Sequence, residues 1–274
     1  MLISLSLGAG VQSSVMALMA EHGEITPKPD CAIFADTGAE PKHVYEWLDW
    51  LEKQLSFPVY RVIEKEGLTQ NILRAIKTEN SEPPQRYAGA PFFTTSESGG
   101  GMLRRQCTRE FKIAPITRKI RELVGLKPGQ RAPRGEIVAQ QWMGISWDEM
   151  QRMKDPREKW LEHRWPLIEK KMTRLHCLEW MVARGYNQLP KKSACTYCPY
   201  HDNAQWRDMK ENDPESWREA CDMDSRVRNG FTGTTEKIFI HRSLTPLAEA
   251  DLTDPNEGQY QMSFMDECDG LCGV

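Results

Sequence analysis

Residues 2–14 read Leu-Ile-Ser-Leu-Ser-Leu-Gly-Ala-Gly-Val-Gln-Ser-Ser. The apolar run over 2–7 predicts a buried strand. Val11, Val15, Leu18 and Met19 then share one face of a helix over 11–22. Gly8 and Gly10 lie between the two. Glycine lets the backbone turn tightly and come close to a phosphate, and the open N–H groups of a helix start favour an anion. A plain strand-to-helix turn is the simpler alternative. Either way, strand, glycine turn and helix in this order begin a βαβ unit.

The pattern continues outward. Residues 31–35 predict a second strand, 41–54 a helix with Pro41 in its first turn, 58–63 a third strand and 68–78 a helix. The stretch 80–104, with Pro83, Pro84, Pro91 and three glycines at 99–101, reads as a long loop of the kind that forms lids. A helix over 111–124 and a strand over 136–145 follow. From about 155 the strand signal fades, leaving helices near 170–184, 203–211 and 214–228 and one short strand at 237–241. The expected fold is α/β, a Rossmann-like parallel sheet sandwiched by helices. The nucleotide-binding domain is expected over 1–155, with a helical, cysteine-bearing part over 156–274.

Composition narrows the class. In 274 residues, apolar types make up 39% and charged types 27%, an ordinary globular balance. The formal net charge of −3 gives no global field for nucleic acid, so any such contact is local. No apolar run approaches the ~18 residues of a membrane span. The first ten residues lack a basic region ahead of their apolar run and read as a strand rather than a signal peptide, which gives the expectation of a cytoplasmic protein. In that compartment eight cysteines point to metal ligands or redox thiols rather than disulfides.

Which nucleotide loop this is follows from its neighbours. No lysine follows the glycines, so it is not a Walker A loop. A dinucleotide fingerprint is a nearer competitor: Ser13 takes its third glycine position, and Asp36 closes the second strand. Against the dinucleotide reading stands Phe34-Ala35-Asp36-Thr37-Gly38-Ala39-Glu40. This segment resembles the Asp-Thr-Gly element of the phosphoadenylylsulfate reductases within the PP-loop adenine-nucleotide α-hydrolase superfamily. The loop itself resembles that superfamily's SGGxDS pattern at Gly10 and Ser13, and departs from it at Gly8 and Gln12. Arg104–Pro115 resembles the family's C-T-x-x-x-K-I-x-P segment, and Gly144–Arg152 its G-x-x-x-D-E-x-x-R segment.

The resemblance implies a fold of the HUP (Rossmann-like) type and an ATP site with Mg²⁺ on the phosphates. Ser6, Gly8, Ala9, Gly10, Gln12, Ser13 and Ser14 would hold the phosphates. Phe34, Asp36, Thr37 and Gly38 would line the adenine and ribose, with Gly144 and Asp148 completing the site. Arg105, Lys112 and Arg152 would stabilise the leaving pyrophosphate.

Cys195-Thr196-Tyr197-Cys198-Pro199 places two thiols at metal-ligand spacing. Cys107 and Cys177 are the next candidates, with three-cysteine ligation by Cys107, Cys195 and Cys198 as a variant. His176 and His201 compete as ligands, while Cys31 and Cys221 read as core. Spacing alone does not choose the metal. Relatives carry either a [4Fe–4S] cluster, the preferred expectation, or zinc. Near the end of the sequence, Cys268 and Cys272 suggest a nucleophile or sulfur carrier by loose likeness to the reductases' tail cysteine.

The expected activity is adenylylation of an acceptor with pyrophosphate release, followed by sulfur transfer. The acceptor would be a small molecule or a nucleic acid. The alternatives are a reductase of phosphoadenylylsulfate or adenylylsulfate, and a non-catalytic nucleotide-binding module with structural zinc.

Overall fold

A computed structural model describes residues 1–76, 87, 89–96, 99–231, 234 and 236–253. Five parallel strands form the central sheet, in the order β3-β2-β1-β6-β7. They are β1 (Leu2–Leu7), β2 (Cys31–Asp36), β3 (Val59–Ile63), β6 (Ala139–Trp142) and β7 (Leu161–Arg164). β1 is central, with Leu5 opposite both Ala32 of β2 and Trp142 of β6. Right-handed crossovers put α1 (Val11–Glu21) and α2 (Lys42–Glu52) on one face as the chain steps from β1 to β3. The return to β6 puts α4 (Ala114–Leu123) on the other. The architecture is Rossmann-like α/β, with helices flanking a parallel sheet, as the alternation predicts.

Alternation along β1 explains the burial on both sides. Leu5 and Leu7 pack with α1, α2 and α6 (Arg174–Ala183). Ser4 and Ser6 face the α4 side, where Gln141 Nε2 donates to Ser6 Oγ at 2.5 Å. Ile33, Ala35, Met143 and Leu161 pack there against Ile116 and Ile120 of α4. A third core joins α3 (Gly67–Ala75), α7 (Asn203–Asn212), α8 (Pro214–Val227) and a small antiparallel sheet.

Three features depart from the sequence reading. The stretch read as a loop over 80–104 contains β4 (Phe93–Ser96) and β5 (Gly99–Met102), which pair with each other, and β4 pairs on its other side with β8 (Ile238–Phe239). Its glycines hid the pairing, because glycine depresses strand propensity whatever the pairing. Residues 80–86, 88, 97 and 98 of the expected loop lie outside the described residues, as do 77–79 before it. The strand signal also fails to stop at 155: β7 joins the sheet edge, and α6 packs on α1 beyond it. β7 reads Leu-Glu-His-Arg, with one buried side chain, so it carries almost no apolar signature. Finally, the turn preceding α4, Thr108–Ile113, is π-helical.

No helix among the described residues is long and apolar enough to cross a membrane.

Gly67, which starts α3, has φ +81°, and a Cβ there would meet Thr37 O at 2.8 Å. Gly67→Ala adds left-handed strain and a clash with fixed backbone, so urea denaturation should show a loss of roughly 2–4 kcal/mol. An unchanged midpoint would mean that the Asp36–Gly38 turn is not held against α3.

Candidate nucleotide site

β1 ends in a turn whose central residue, Ala9, is left-handed at φ 56°. For a residue with a Cβ this costs roughly 1–2 kcal/mol, a strain that persists only where surrounding contacts impose it. Ser13 supplies some of them. Gly8 N donates to Ser13 Oγ at 3.1 Å, and that hydroxyl donates to Gly10 O at 3.4 Å. Gly10 then starts α1 with no side-chain cap. The turn lies where the order of the sheet reverses, between β1 and β6, the place at which open α/β sheets bind ligands.

The segment after β6 closes on this turn. A Cβ at Gly144 would stand 3.0 Å from Ser13 Cα and N, so only glycine fits there without a shift. Beyond it a 3-10 turn, Trp147–Arg152, carries Glu149 inward. Gln12 Nε2 donates to Glu149 Oε2 at 3.3 Å, and Arg152 pairs with Glu149 Oε1 at 2.5 Å. Arg174 Nη1 in turn donates to Gln12 Oε1 at 3.1 Å. Where the family pattern has an aspartate, this chain has Gln12 with a carboxylate in contact through Glu149.

At the end of β2, Asp36 Oδ1 accepts from Gly38 N and from Tyr45 Oη, both at 2.7 Å. The contact with Gly38 N closes the turn after β2. The second Asp36 oxygen, Oδ2, has no partner among the described residues. Burial together with the Asp36 carboxylate raises the Tyr45 pKa, so its phenol stays a donor.

The cysteine segment docks on this turn. Thr196 N donates to Ala39 O at 2.8 Å. Thr69 Oγ1 donates to Gly38 O at 2.8 Å and lies 2.6 Å from Tyr197 Oη. Cys195 Sγ is 3.4 Å from Thr37 Oγ1 and 3.9 Å from Glu40 Oε1. Thr37 donates to the same Glu40 oxygen at 3.1 Å, and buried Lys112 Nζ stands 3.6 Å from it. Cys107, Cys195 and Cys198 line one small cavity with Arg105, Lys112 and Tyr200. Arg105 also stacks over Tyr200 at 5.1 Å.

Some expected residues serve elsewhere. Phe34 is buried among side chains on the α1 face, and Ser14 Oγ accepts from Trp47 Nε1 at 2.9 Å, tying α1 to α2. Asp148 accepts from Arg174 N at 3.2 Å, holding the start of α6. Cys177 is fully buried between α6 and α1, in a different core from the other three cysteines, so the four-thiol set is not assembled. Among the described residues no three His, Cys, Asp or Glu side chains are gathered to hold one ion. Cys268 and Cys272 lie outside the described residues. His176 closes a capping box with Thr173.

Glu149, Glu40 and Arg174 lie at the candidate site, although the sequence reading gave none of them a role there. Glu149 and Glu40 sit inside quoted motifs. Arg174 has no sequence signal, because the fold of α6 alone brings it to Gln12. No family model matches the chain, and no curated protein matches it.

His201 supports the cysteine turn. Its Nε2–H donates to Cys195 O at 3.0 Å, which leaves Nδ1 unprotonated, buried and without a partner among the described residues. Burial lowers its pKa from 6.5 to about 4. The unfolded chain therefore binds this proton more readily. The resulting stability is complete above pH 6.5 and lost as pH falls towards 4, with a maximal slope of about 1.4 kcal/mol per pH unit. His201→Gln keeps a donor for Cys195 O and should flatten that part of a denaturation-versus-pH profile. An unaltered profile would place the titration elsewhere.

Proposed function

We propose that the protein is a PP-loop enzyme of the HUP (Rossmann-like) type that binds ATP at the ends of β1, β2 and β6 and directs attack at the α-phosphate. The observation that carries this reading is the strained, uncapped glycine turn at Ala9, placed at the reversal point of the sheet. Strain held in place by Ser13 keeps backbone N–H groups and the start of α1 ready for phosphate oxygens. Asp36 Oδ2 would accept from a ribose hydroxyl, a contact that ATP and a dinucleotide would share.

Adenylylation needs the leaving pyrophosphate to be stabilised as it gains charge. Arg152, fixed by Glu149, and Arg174, bonded to Gln12, are the cations next to the turn. Lys112 and Arg105 border the cysteine cavity beside the Asp36–Glu40 turn. An acceptor oxygen would attack the α-phosphorus, the bond to the β-phosphate oxygen would break, and pyrophosphate would leave. Glu149, buried against Gln12 and Arg152, would be the carboxylate to meet a magnesium ion carried by the nucleotide.

Sulfur transfer is the extension of this reading. Cys107, Cys195 and Cys198 border one cavity beside this site, but among the described residues they are not gathered to hold one ion, so the proposed reaction has no step through a cluster. The reductase alternative rests on Cys268 and Cys272, which lie outside the described residues.

The test is to incubate the protein with Mg²⁺, α-labelled ATP and candidate acceptors, and to identify the products. AMP or an adenylylated acceptor with pyrophosphate is expected. Asp36→Asn preserves an acceptor for Gly38 N but removes the charge facing the ribose, and should weaken ATP binding by about tenfold. ADP with inorganic phosphate would contradict the reading. ATP binding without turnover would instead favour a nucleotide-sensing module.

A further inference from the structure

The crossover from β6 to β7 contains a 3-10 turn where the other crossovers of the sheet carry α-helices. Handedness assigns this crossover to the α4 face. α4 itself packs on β1, β2 and β3, so a groove of about 400 Å³ is left beside it over β6 and β7. That volume lies within the range of small organic ligand sites, roughly 300–1,000 Å³. Met143, Ile145 and Leu161 give it an apolar floor, and Ile113 and Thr117 of the α4 side form one wall.

Two aromatic rings lie at the β7 end. His163 Nδ1–H donates to Lys154 O at 2.8 Å, leaving Nε2 as an acceptor, and burial lowers its pKa so that the ring is neutral at neutral pH. Trp165 meets it edge-on at 6.0 Å, with a buried indole N–H that has no acceptor among the described residues.

The rim is cationic. Arg109, Lys154 and Arg157 are exposed around it and make no ion pair among the described residues, whereas Arg118 is paired with Glu64. Asp155 and Glu158 share the rim, and Glu158 accepts from Trp160 Nε1 at 3.0 Å. In a chain of net charge −3, such a concentration of guanidinium and ammonium groups over an apolar floor is a local feature rather than a consequence of composition. Guanidinium forks match phosphate oxygens, and apolar walls match a planar ring.

We propose that this groove binds a second ligand of mononucleotide size: a heteroaromatic ring seated on Met143 and Leu161, with its phosphate at Arg109 and Arg157. Arg152 and Ile145 line the groove and also belong to the segment that closes on the glycine turn, so the ligand would lie beside the ATP site. The ring would be the group that the ATP site activates. That last step rests on the ATP reading, whereas the groove itself does not.

The experiment is a calorimetric titration with uridine monophosphate, uridine, inorganic phosphate and a short single-stranded oligonucleotide, run with and without saturating ATP. One uridine monophosphate is expected to bind per chain in both conditions, more tightly than uridine or phosphate alone. Thr117→Trp fills the groove and should abolish this binding. Arg157→Glu, at an exposed position, should weaken it by about tenfold. Both variants should leave ATP affinity unchanged, and Asp36→Asn should weaken ATP alone. Tighter binding of the oligonucleotide would identify a nucleic-acid strand as the source of the ring, and equal binding a free nucleotide. The proposal is overturned if no uridine monophosphate binds, if neither Thr117→Trp nor Arg157→Glu changes its binding, or if Thr117→Trp removes ATP binding together with it. Failure of ATP to bind while uridine monophosphate still does would sink the ATP reading and spare the groove.

Discussion

The close approach of Gly144 to Ser13 holds the two halves of the sheet to a common site. With Cα and N of Ser13 only 3.0 Å from where a Cβ would stand, the segment after β6 lies directly on the turn after β1. Everything polar at the switch point follows from this contact. It brings the 3-10 turn close enough for Glu149 to reach Gln12, and Glu149 in turn fixes Arg152. It also sets the position of Asp148, which holds α6 so that Arg174 reaches Gln12 from the far side.

A second docking event assembles the other half of the site. The cysteine segment bonds the turn after β2 directly, from Thr196 N to Ala39 O, and through Thr69, whose hydroxyl donates to Gly38 O and meets Tyr197 Oη. It encloses Glu40 and Lys112, whose side chains are almost wholly shielded from water. Burying a charged pair is costly unless each partner is held by further hydrogen bonds, and Thr37 and Cys195 surround Glu40 with polar groups. Such an arrangement fixes geometry more than it adds stability. Its consequence is that Cys107, Cys195 and Cys198 line one cavity beside the turn after β2.

The parallel sheet was legible because its inner strands are apolar runs followed by helix-period segments, β1 with α1 above all. β7 was not, since an edge strand with three half-buried polar residues has no pattern to read. Asp36 stood out in the sequence for a local chemical reason, since its carboxylate closes the turn on Gly38 N, whereas the left-handed residue of the glycine turn is Ala9 rather than either glycine. Phe34 and Ser14 were misread because a motif gives positions along the chain, while strand alternation and helix phase decide which side chains face the site. Cys177 shows the limit of counting ligands along a sequence, because α6 turns it into the core beneath α1. Arg174 marks the opposite limit, a residue recruited by the packing of α6 alone.

The account stands or falls on whether three separated segments respond to one nucleotide. Hydrogen–deuterium exchange with and without ATP and Mg²⁺ tests this directly. Joint protection of amides in residues 8–14, 36–40 and 144–149 is the result predicted by a single site at the ends of β1, β2 and β6. Protection confined to one of these segments, or none at saturating ATP, would contradict it.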